Sequence, residues 1–188
     1  MRADVTYLSN HFLIAMPNLA DPNFSRTVTL ICEHSEDGAM GLTINRQIDL
    51  TLEDILDQID IKIPEATDAN VAVYQGGPVQ HTRGFVLHEP VGNWESTMPI
   101  SDTLGLSTSR DILRAIAEGQ GPARYLLTLG YAGWGPGQLE HEMAENAWLS
   151  GPADNQIIFD TVTDRRWKAA AEKLGVDISK LSGQTGHA

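Results

Sequence analysis

The stretch "TVTLICEHSEDGAMGLTINR", residues 27–46, decides the fold class. Apolar and β-branched residues recur along "TVTLICEH", which is typical of a strand that carries Val28, Leu30 and Cys32 on one face. The turn-forming residues of "SEDGA" then favour a hairpin into a second extended segment, "MGLTINR". Strand-like and helix-like segments are mixed along the rest of the chain. We therefore predict an α+β fold, a single compact domain with a mixed, mostly antiparallel sheet or a small barrel surrounded by helices.

Apolar spacing and capping residues predict where the helices lie. The segment "LTLEDILDQIDI" has helical spacing, with Thr51 as the capping residue and Asp54 completing the capping pattern. Ser109 is expected to cap "RDILRAIAEG", and Thr163 to cap "DRRWKAAAEKLG", which Gly175 ends. The apolar segments "RGFVLHE" and "ARYLLTLGYAG" are predicted to be strands, and so is the shorter "QIIFD".

The length of 188 residues predicts one domain, residues 1–188, with a frayed polar tail at 182–188. Cys32 is the only cysteine, so the chain forms no intrachain disulfide and no multi-cysteine zinc site, which fits a reducing compartment. The apolar run from Phe12 to Met16 is too short for a signal peptide, and no segment has the ~18 apolar residues of a membrane helix. We expect a cytoplasmic protein that does not enter a membrane.

The formal net charge of −12 argues against nucleic acid as a partner. Nucleic-acid backbones are polyanions, and their binding depends on positive charge that releases counterions. The best candidate for a locally basic face is "DRRWK", where Arg165, Arg166 and Lys168 lie close together, although a solvated helix face explains this cluster as well. An acidic protein suits partners with basic patches, so we expect a protein partner, with a small molecule as the alternative.

The glycine-dense stretch "GYAGWGPGQLEHEM", residues 130–143, allows two interpretations. One is a tight strand-to-helix corner, in which Trp134 packs in the core, the glycines adopt positive φ and the glutamates complement the dipole of the following helix. The other is a loop that binds a ligand through its backbone N–H groups. The candidate ligand-binding residues are Arg26, Gly133, Trp134, Gly135, Gly137 and Glu140.

Two further arrangements would carry chemistry. His141 and Glu145 are four residues apart on one helix face, but a metal site needs a further ligand that the spacing does not supply, so we expect no metal and no cofactor. Cys32 and His34 are expected on one strand face, where a thiol–imidazole pair would be reactive. Cys32 lies among apolar residues, however, and such a cysteine is usually buried and inert.

Several segments together resemble one known family. They are "FLIAMPNLADPNFSRTVTLICEHSEDGAMGLTIN", "GGPV", "RGFVLH", "GYAGWGPGQLEHE" and "NAWL", and they resemble the AlgH/YqgE family of bacterial proteins from about Asn10 to Gly175. The resemblance implies a compact mixed α/β domain whose small closed or bifurcated sheet is wrapped by helices. It transfers no catalytic residue, because the family is largely of unassigned biochemical function. Some members are labelled transcriptional regulators, on genetic grounds tied to alginate production.

These observations predict a non-catalytic cytosolic protein with a regulatory or protein-interaction role and no direct contact with DNA. No recognisable nucleophile, acid–base pair or metal signature points to an enzyme. The alternative is a small-ligand-binding protein or a hydrolase-like enzyme that uses the loop from Gly133 to Gly137.

Overall fold

Ten strands and five α-helices form in the part of the chain that the structure, a computed structural model, describes: residues 7–22, 24–178 and 180. The predicted frayed tail at 182–188 lies outside these residues. The strands are β1 (His11–Ala15), β2 (Val28–Ser35), β3 (Gly38–Thr43), β4 (Gln47–Thr51), β5 (Ala72–Gln75), β6 (Val79–Glu89), β7 (Thr97–Pro99), β8 (Gly105–Ser107), β9 (Arg124–Trp134) and β10 (Trp148–Pro152). The helices are α1 (Leu52–Gln58), α2 (Arg110–Ala117), α3 (Gln138–Ala144), α4 (Asn155–Phe159) and α5 (Arg166–Lys173), the last preceded by a 3₁₀ turn, Thr163–Arg165.

All ten strands join one curled sheet of half-barrel shape, in the order β10-β1-β2-β3-β9-β6-β8-β7. β4 joins this path through β5, which pairs with β9. Among the described strands, β5 and β9 form the only parallel pair, and the other pairs are antiparallel. The predicted α+β class with a mostly antiparallel sheet is therefore confirmed. The expected hairpin at residues 28–43 is the pair β2–β3.

The long strand β9 is the centre of the sheet because it changes neighbours along its length. Its first half lies between β5 and β6, and its last three residues pair with β3. At the change of partner, β9 bends at Gly130, whose φ is 76°. The turn before β6 crosses here so closely that a Cβ on Gly77 would lie 2.1 Å from the carbonyl carbon of Tyr131. Only glycine permits this backbone contact.

The helices cover the sheet over three hydrophobic clusters. The largest packs α4 and α5 on the sheet, the second packs α1 and α2, and the third includes α3. Fully buried members of the three clusters include Phe12, Leu30, Leu42, Leu87 and Ile158 in the first, Leu52, Leu56 and Ile112 in the second, and Leu13, Ile31 and Leu139 in the third. In the part of the chain described, no helix has the length and apolar character needed to cross a membrane.

The predicted helix ends are mostly confirmed. The Thr51 N–H donates to the Asp54 carboxylate at 2.9 Å, Ser109 is the N-cap of α2, and Gly175 follows α5 with φ 79°. Thr163 does not cap α5 directly, because a 3₁₀ turn precedes the helix and the Thr163 hydroxyl bonds the Tyr74 hydroxyl at 2.7 Å.

The prediction of a strand at "QIIFD" is wrong, because its first four residues belong to α4 and Asp160 is the C-cap of that helix. The Asp154 side chain accepts a hydrogen bond from the Gln156 backbone at 2.8 Å and so starts the helix. Ile157 and Ile158 then pack beside α5 in the largest cluster. Burial against a neighbouring helix outweighs the β-propensity of two adjacent isoleucines.

Candidate functional site

Two irregularities in the sheet create a cleft. In β2 the pairing with β3 shifts register between Ile31 and Glu33, so Cys32 is an extra residue that lacks a partner. In β6 the pairing with β9 shifts between Val79 and Gly84, so residues 80–83 leave the ladder. Such bulges bend a strand and redirect its side chains.

An open cleft of about 610 Å³ lies between these irregularities. Its apolar floor includes Met40 and the rings of Phe85 and Tyr131, which meet edge to face with centroids 5.9 Å apart. Gly133 lies directly opposite Met40 and adds no side chain. A Cβ at Gly133 would lie 3.5 Å from the Tyr131 ring, an ordinary contact, so the missing side chain leaves room and is not required by the backbone.

Opposite charges lie along the walls of the cleft. Glu33 and Asp37 come from the β2–β3 hairpin, and Arg83 comes from the unpaired part of β6. All three side chains are exposed, and none of them is among the ion pairs of the described residues. The Arg83 guanidinium lies 5.3 Å from the Phe85 ring centroid, and its Nη1 donates to Gln80 at 3.3 Å.

The structure brings only two of the six predicted ligand-binding residues to this cleft, Gly133 and Trp134. Arg26 is exposed, and its guanidinium lies over the Trp167 ring at 5.5 Å. Glu140 bonds the ring of His34.

A corner from Trp134 to Gln138 ends β9, and Trp134 is buried in it as the first interpretation predicts. Of its glycines, Gly137 has positive φ, at 73°, as expected, whereas Gly133 and Gly135 do not have positive φ. The Gly135 N–H donates to the Gln138 side chain at 3.0 Å, so it is already used within the corner.

Of the two glutamates after the corner, only Glu140 lies in the first turn of α3, where it complements the helix dipole as expected, and α3 has no side-chain cap. The Glu142 carboxylate accepts from the indole N–H groups of Trp134 and Trp148, at 3.1 and 3.0 Å, and from the Gln138 side chain at 3.1 Å. Both tryptophans are buried, so this tryptophan–glutamate cluster (Trp134, Glu142 and Trp148) joins α3 to β9 and β10. Glu140 instead bonds the His34 ring nitrogen Nε2 at 2.6 Å.

Cys32 and His34 do not form a reactive pair. The bulge at Cys32 places the two side chains on opposite faces of the sheet. Cys32 packs with Leu30 in the largest cluster, whereas His34 bonds the Leu8 backbone on the other face. Burial, reinforced by the neighbouring Glu33 carboxylate, raises the pKa of the Cys32 thiol far above its ordinary value. The Leu8 N–H donates to His34 Nδ1 at 2.9 Å, which leaves Nε2 to carry the proton toward Glu140. Neither ring nitrogen is available as a base.

The structure contains a buried serine–histidine contact that no sequence pattern predicts. His88 Nδ1 donates to the Pro90 carbonyl at 2.9 Å, and the Ser107 hydroxyl donates to Nε2 at 2.8 Å. Burial lowers the pKa of His88 below its ordinary value, opposed in part by the bond to Pro90. Both side chains are fully buried, so a substrate has no access to the hydroxyl. The two residues lie 19 positions apart, and only strand pairing brings them together.

The residues of the basic and metal-binding alternatives have partners within the protein. Arg166 of "DRRWK" is buried, donates to the carbonyls of Ile44 and Thr161, and lies over the Tyr74 ring, so the cluster is not a continuous basic surface. His141 and Glu145 form an exposed pair at 3.2 Å. Within the described ranges, no three histidine, cysteine or carboxylate side chains are grouped as metal ligands.

The fold and site define a class: an α+β protein with a half-barrel sheet and an open cleft of mixed charge. A family model described as AlgH-like (DUF179) matches residues 12–179, and the chain belongs to this family. The resemblance found in the sequence is thereby confirmed.

Curated relatives and solved structures agree with this assignment. The chain is 57% identical over 182 residues to a UPF0301 protein of Nitrosococcus oceani, covering 97% of each chain. It is similar to the solution structure of the AlgH protein from Pseudomonas aeruginosa, with a TM-score of 0.81, 51% identity and full coverage of both chains. A crystal structure of a Corynebacterium diphtheriae protein shares the fold, with a TM-score of 0.75 at 22% identity, over 97% of this chain and 94% of that one.

Proposed function

We propose that this protein is a non-catalytic, cytoplasmic regulatory protein that binds a protein partner through the cleft. The observation that carries the proposal is that Glu33, Asp37 and Arg83 lie exposed around an apolar floor and form no ion pair with any other described residue. Exposed polar groups beside apolar surface are what recognition requires. Any effect on transcription then passes through the partner, since the net charge of −12 opposes contact with DNA.

The reactive groups of the described residues support a non-catalytic role. Cys32 is buried with a raised pKa, both nitrogens of His34 are occupied, and the His88–Ser107 contact is enclosed. Nucleophilic catalysis needs an activated nucleophile and a base that reach the substrate.

Affinity capture with matched charge variants tests this proposal. Replacing Glu33 and Asp37 by lysine changes the net charge from −12 to −8, because each replacement adds +2. Replacing Asp57 and Glu65, which are exposed and outside the cleft, makes the same change elsewhere. We expect quantitative mass spectrometry to show a stoichiometric partner with the native protein and the control, and its loss with the cleft variant. A partner retained equally by both variants, or no partner at all, contradicts the proposal.

Small-ligand binding is the second candidate, favoured by the size of the cleft. Its volume of about 610 Å³ is within the usual range of small-molecule pockets. A thermal-shift screen with nucleotides and sugar phosphates tests it. A stabilising compound should act on the native protein and on Gly135→Ala, but not on Gly133→Val, whose side chain would occupy space beside the Tyr131 ring in the cleft.

A further inference from the structure

We infer that the cleft recognises an extended partner segment of mixed charge, in which a basic and an acidic side chain flank a large apolar one. This inference rests on the proposed function and specifies the chemistry of the partner. Its basis is the order of groups across the sheet: carboxylates first, an apolar floor next and a guanidinium last.

The acidic end follows from strand register. Glu33 lies opposite Met40, and Met40 lies opposite Gly133, so these three residues form one row across β2, β3 and β9. Residues directly opposite each other project from the same face of a sheet. The Glu33 carboxylate is therefore placed at the edge of the cleft, and Asp37 at the hairpin turn adds a second negative charge. This end suits a lysine or arginine side chain.

The basic end follows from the bulge in β6. Arg83 is next to the point where β6 rejoins β9 at Gly84, and its guanidinium is placed over Phe85. Its one hydrogen bond in the described residues uses Nη1 and goes to Gln80. A guanidinium has five N–H donors in a planar fork that matches a carboxylate. This end suits an aspartate or glutamate side chain.

The distance between the two ends explains why they do not neutralise each other. β2 and β6 are separated by β3 and β9, which makes three interstrand spacings, or roughly 14 Å, and Arg83 is further displaced along β9 because the neighbouring Gly84 lies opposite Leu129 and not Gly133. In an extended segment, residues i, i+2 and i+4 project from the same face, with i and i+4 roughly 13 Å apart, and long charged side chains span the remainder. The side chain at position i+2 lies over Phe85, Tyr131 and the space that Gly133 leaves.

A uniformly basic segment fits less well, because its second positive charge would face Arg83. Juxtaposed like charges oppose binding and set specificity between similar partners. The cleft therefore discriminates by charge order as well as by net charge.

Three blocked peptides test the charge pattern, each with a glycine at either end and between the three side chains: Lys-Gly-Phe-Gly-Glu, Lys-Gly-Phe-Gly-Lys and Lys-Gly-Ala-Gly-Glu, called Lys-Phe-Glu, Lys-Phe-Lys and Lys-Ala-Glu after those side chains. They are titrated to about 5 mM into the isotopically labelled full chain while amide NMR shifts are followed. We expect shifts at residues 33–40, 79–85 and 131–134, with Lys-Phe-Glu binding about fivefold more tightly than either other peptide. Arg83→Glu should reverse the preference between Lys-Phe-Glu and Lys-Phe-Lys. Gly133→Val should abolish binding, and Gly135→Ala should leave it unchanged.

The outcomes separate this inference from the proposed function. No binding by any peptide, equal affinity for all three, or an unchanged preference in Arg83→Glu overturns the inference. If partner capture nevertheless depends on Glu33 and Asp37, the proposed function stands with a partner of different chemistry. If capture does not depend on them, the proposed function fails as well.

Discussion

Two regions that meet near the end of strand β9 differ in whether their charged side chains have partners. In the tryptophan–glutamate cluster, one carboxylate accepts hydrogen bonds from two buried indoles and a glutamine. In the cleft, only one residue away along the strand at Gly133, charged side chains of both signs lie without ion pairs among the described residues. Polar groups that satisfy one another hold the fold together, whereas exposed unpaired ones remain available to a partner.

The largest expected effect comes from removing the shared acceptor of the cluster. Glu142→Ala leaves two buried indole N–H groups without a partner, so we expect the free energy of unfolding to fall by about 3 kcal/mol. Urea denaturation measures this loss. Glu145→Ala is the control, because Glu145 is in an exposed pair with His141 and should change stability by less than about 0.5 kcal/mol. Equal losses in the two variants would mean that the cluster is not structural.

A comparison of two glycines separates backbone architecture from the cleft. Gly77→Ala places a Cβ against the Tyr131 backbone, so we expect a loss of about 2 kcal/mol or more. Gly133→Ala meets only ordinary contacts in a strand, where it should be neutral or stabilise by about 0.5 kcal/mol. Chemical denaturation of both variants checks the difference, and a destabilised Gly133→Ala would show that this glycine serves the fold.

The buried His88–Ser107 contact predicts a pH dependence of stability. Because burial lowers the pKa of His88 from 6.5, the unfolded chain binds a proton more readily than the folded one between the two pKa values. Stability from this residue is therefore complete above about pH 6.5 and decreases as the pH falls below it. Melting temperatures between pH 7.5 and 5 should decrease in the native protein and decrease less in His88→Gln. The same slope in both would exclude His88 as the cause.

The smallest expected effect on the stability of the protein comes from removing a charged side chain of the cleft. Glu33→Ala removes an exposed carboxylate that has no ion pair among the described residues, so the free energy of unfolding should change by no more than about 0.5 kcal/mol. Thermal and urea unfolding measure it. A loss comparable to that of Glu142→Ala would show that the cleft and the cluster do not differ as described.

Local sequence patterns were sufficient for the elements whose signals are local. The alternation of β2, the capping pair Thr51 and Asp54, and the glycine that ends α5 each depend on residues within a few positions of one another. The same local reasoning failed at residues 156–160, because an isoleucine pair suits a strand or a buried helix equally. Packing of α4 beside α5 decided between them.

The cleft was only partly visible in the sequence. The density of glycines points to Gly133 and Trp134. No local pattern around Glu33 or Arg83 indicates that these two residues lie beside the glycine-dense stretch in the fold. A β-bulge redirects a side chain without an obligatory change in composition, so the alternation along "TVTLICEH" placed Cys32 and His34 on one face when the bulge separates them.

By itself, the sequence determined the α+β class, the net charge of −12 and the family, because composition, periodicity and motif identity are properties of the chain. Only the tertiary structure decided which charged side chains bond other residues of the protein and which remain exposed. Arg166 is buried and donates to the Ile44 carbonyl, 122 positions away, and Glu140 bonds the His34 ring, 106 positions away, whereas Arg83 is left exposed over Phe85. Whether a charged group finds a partner depends on chain segments far away in the sequence, and their approach is set by strand register and packing.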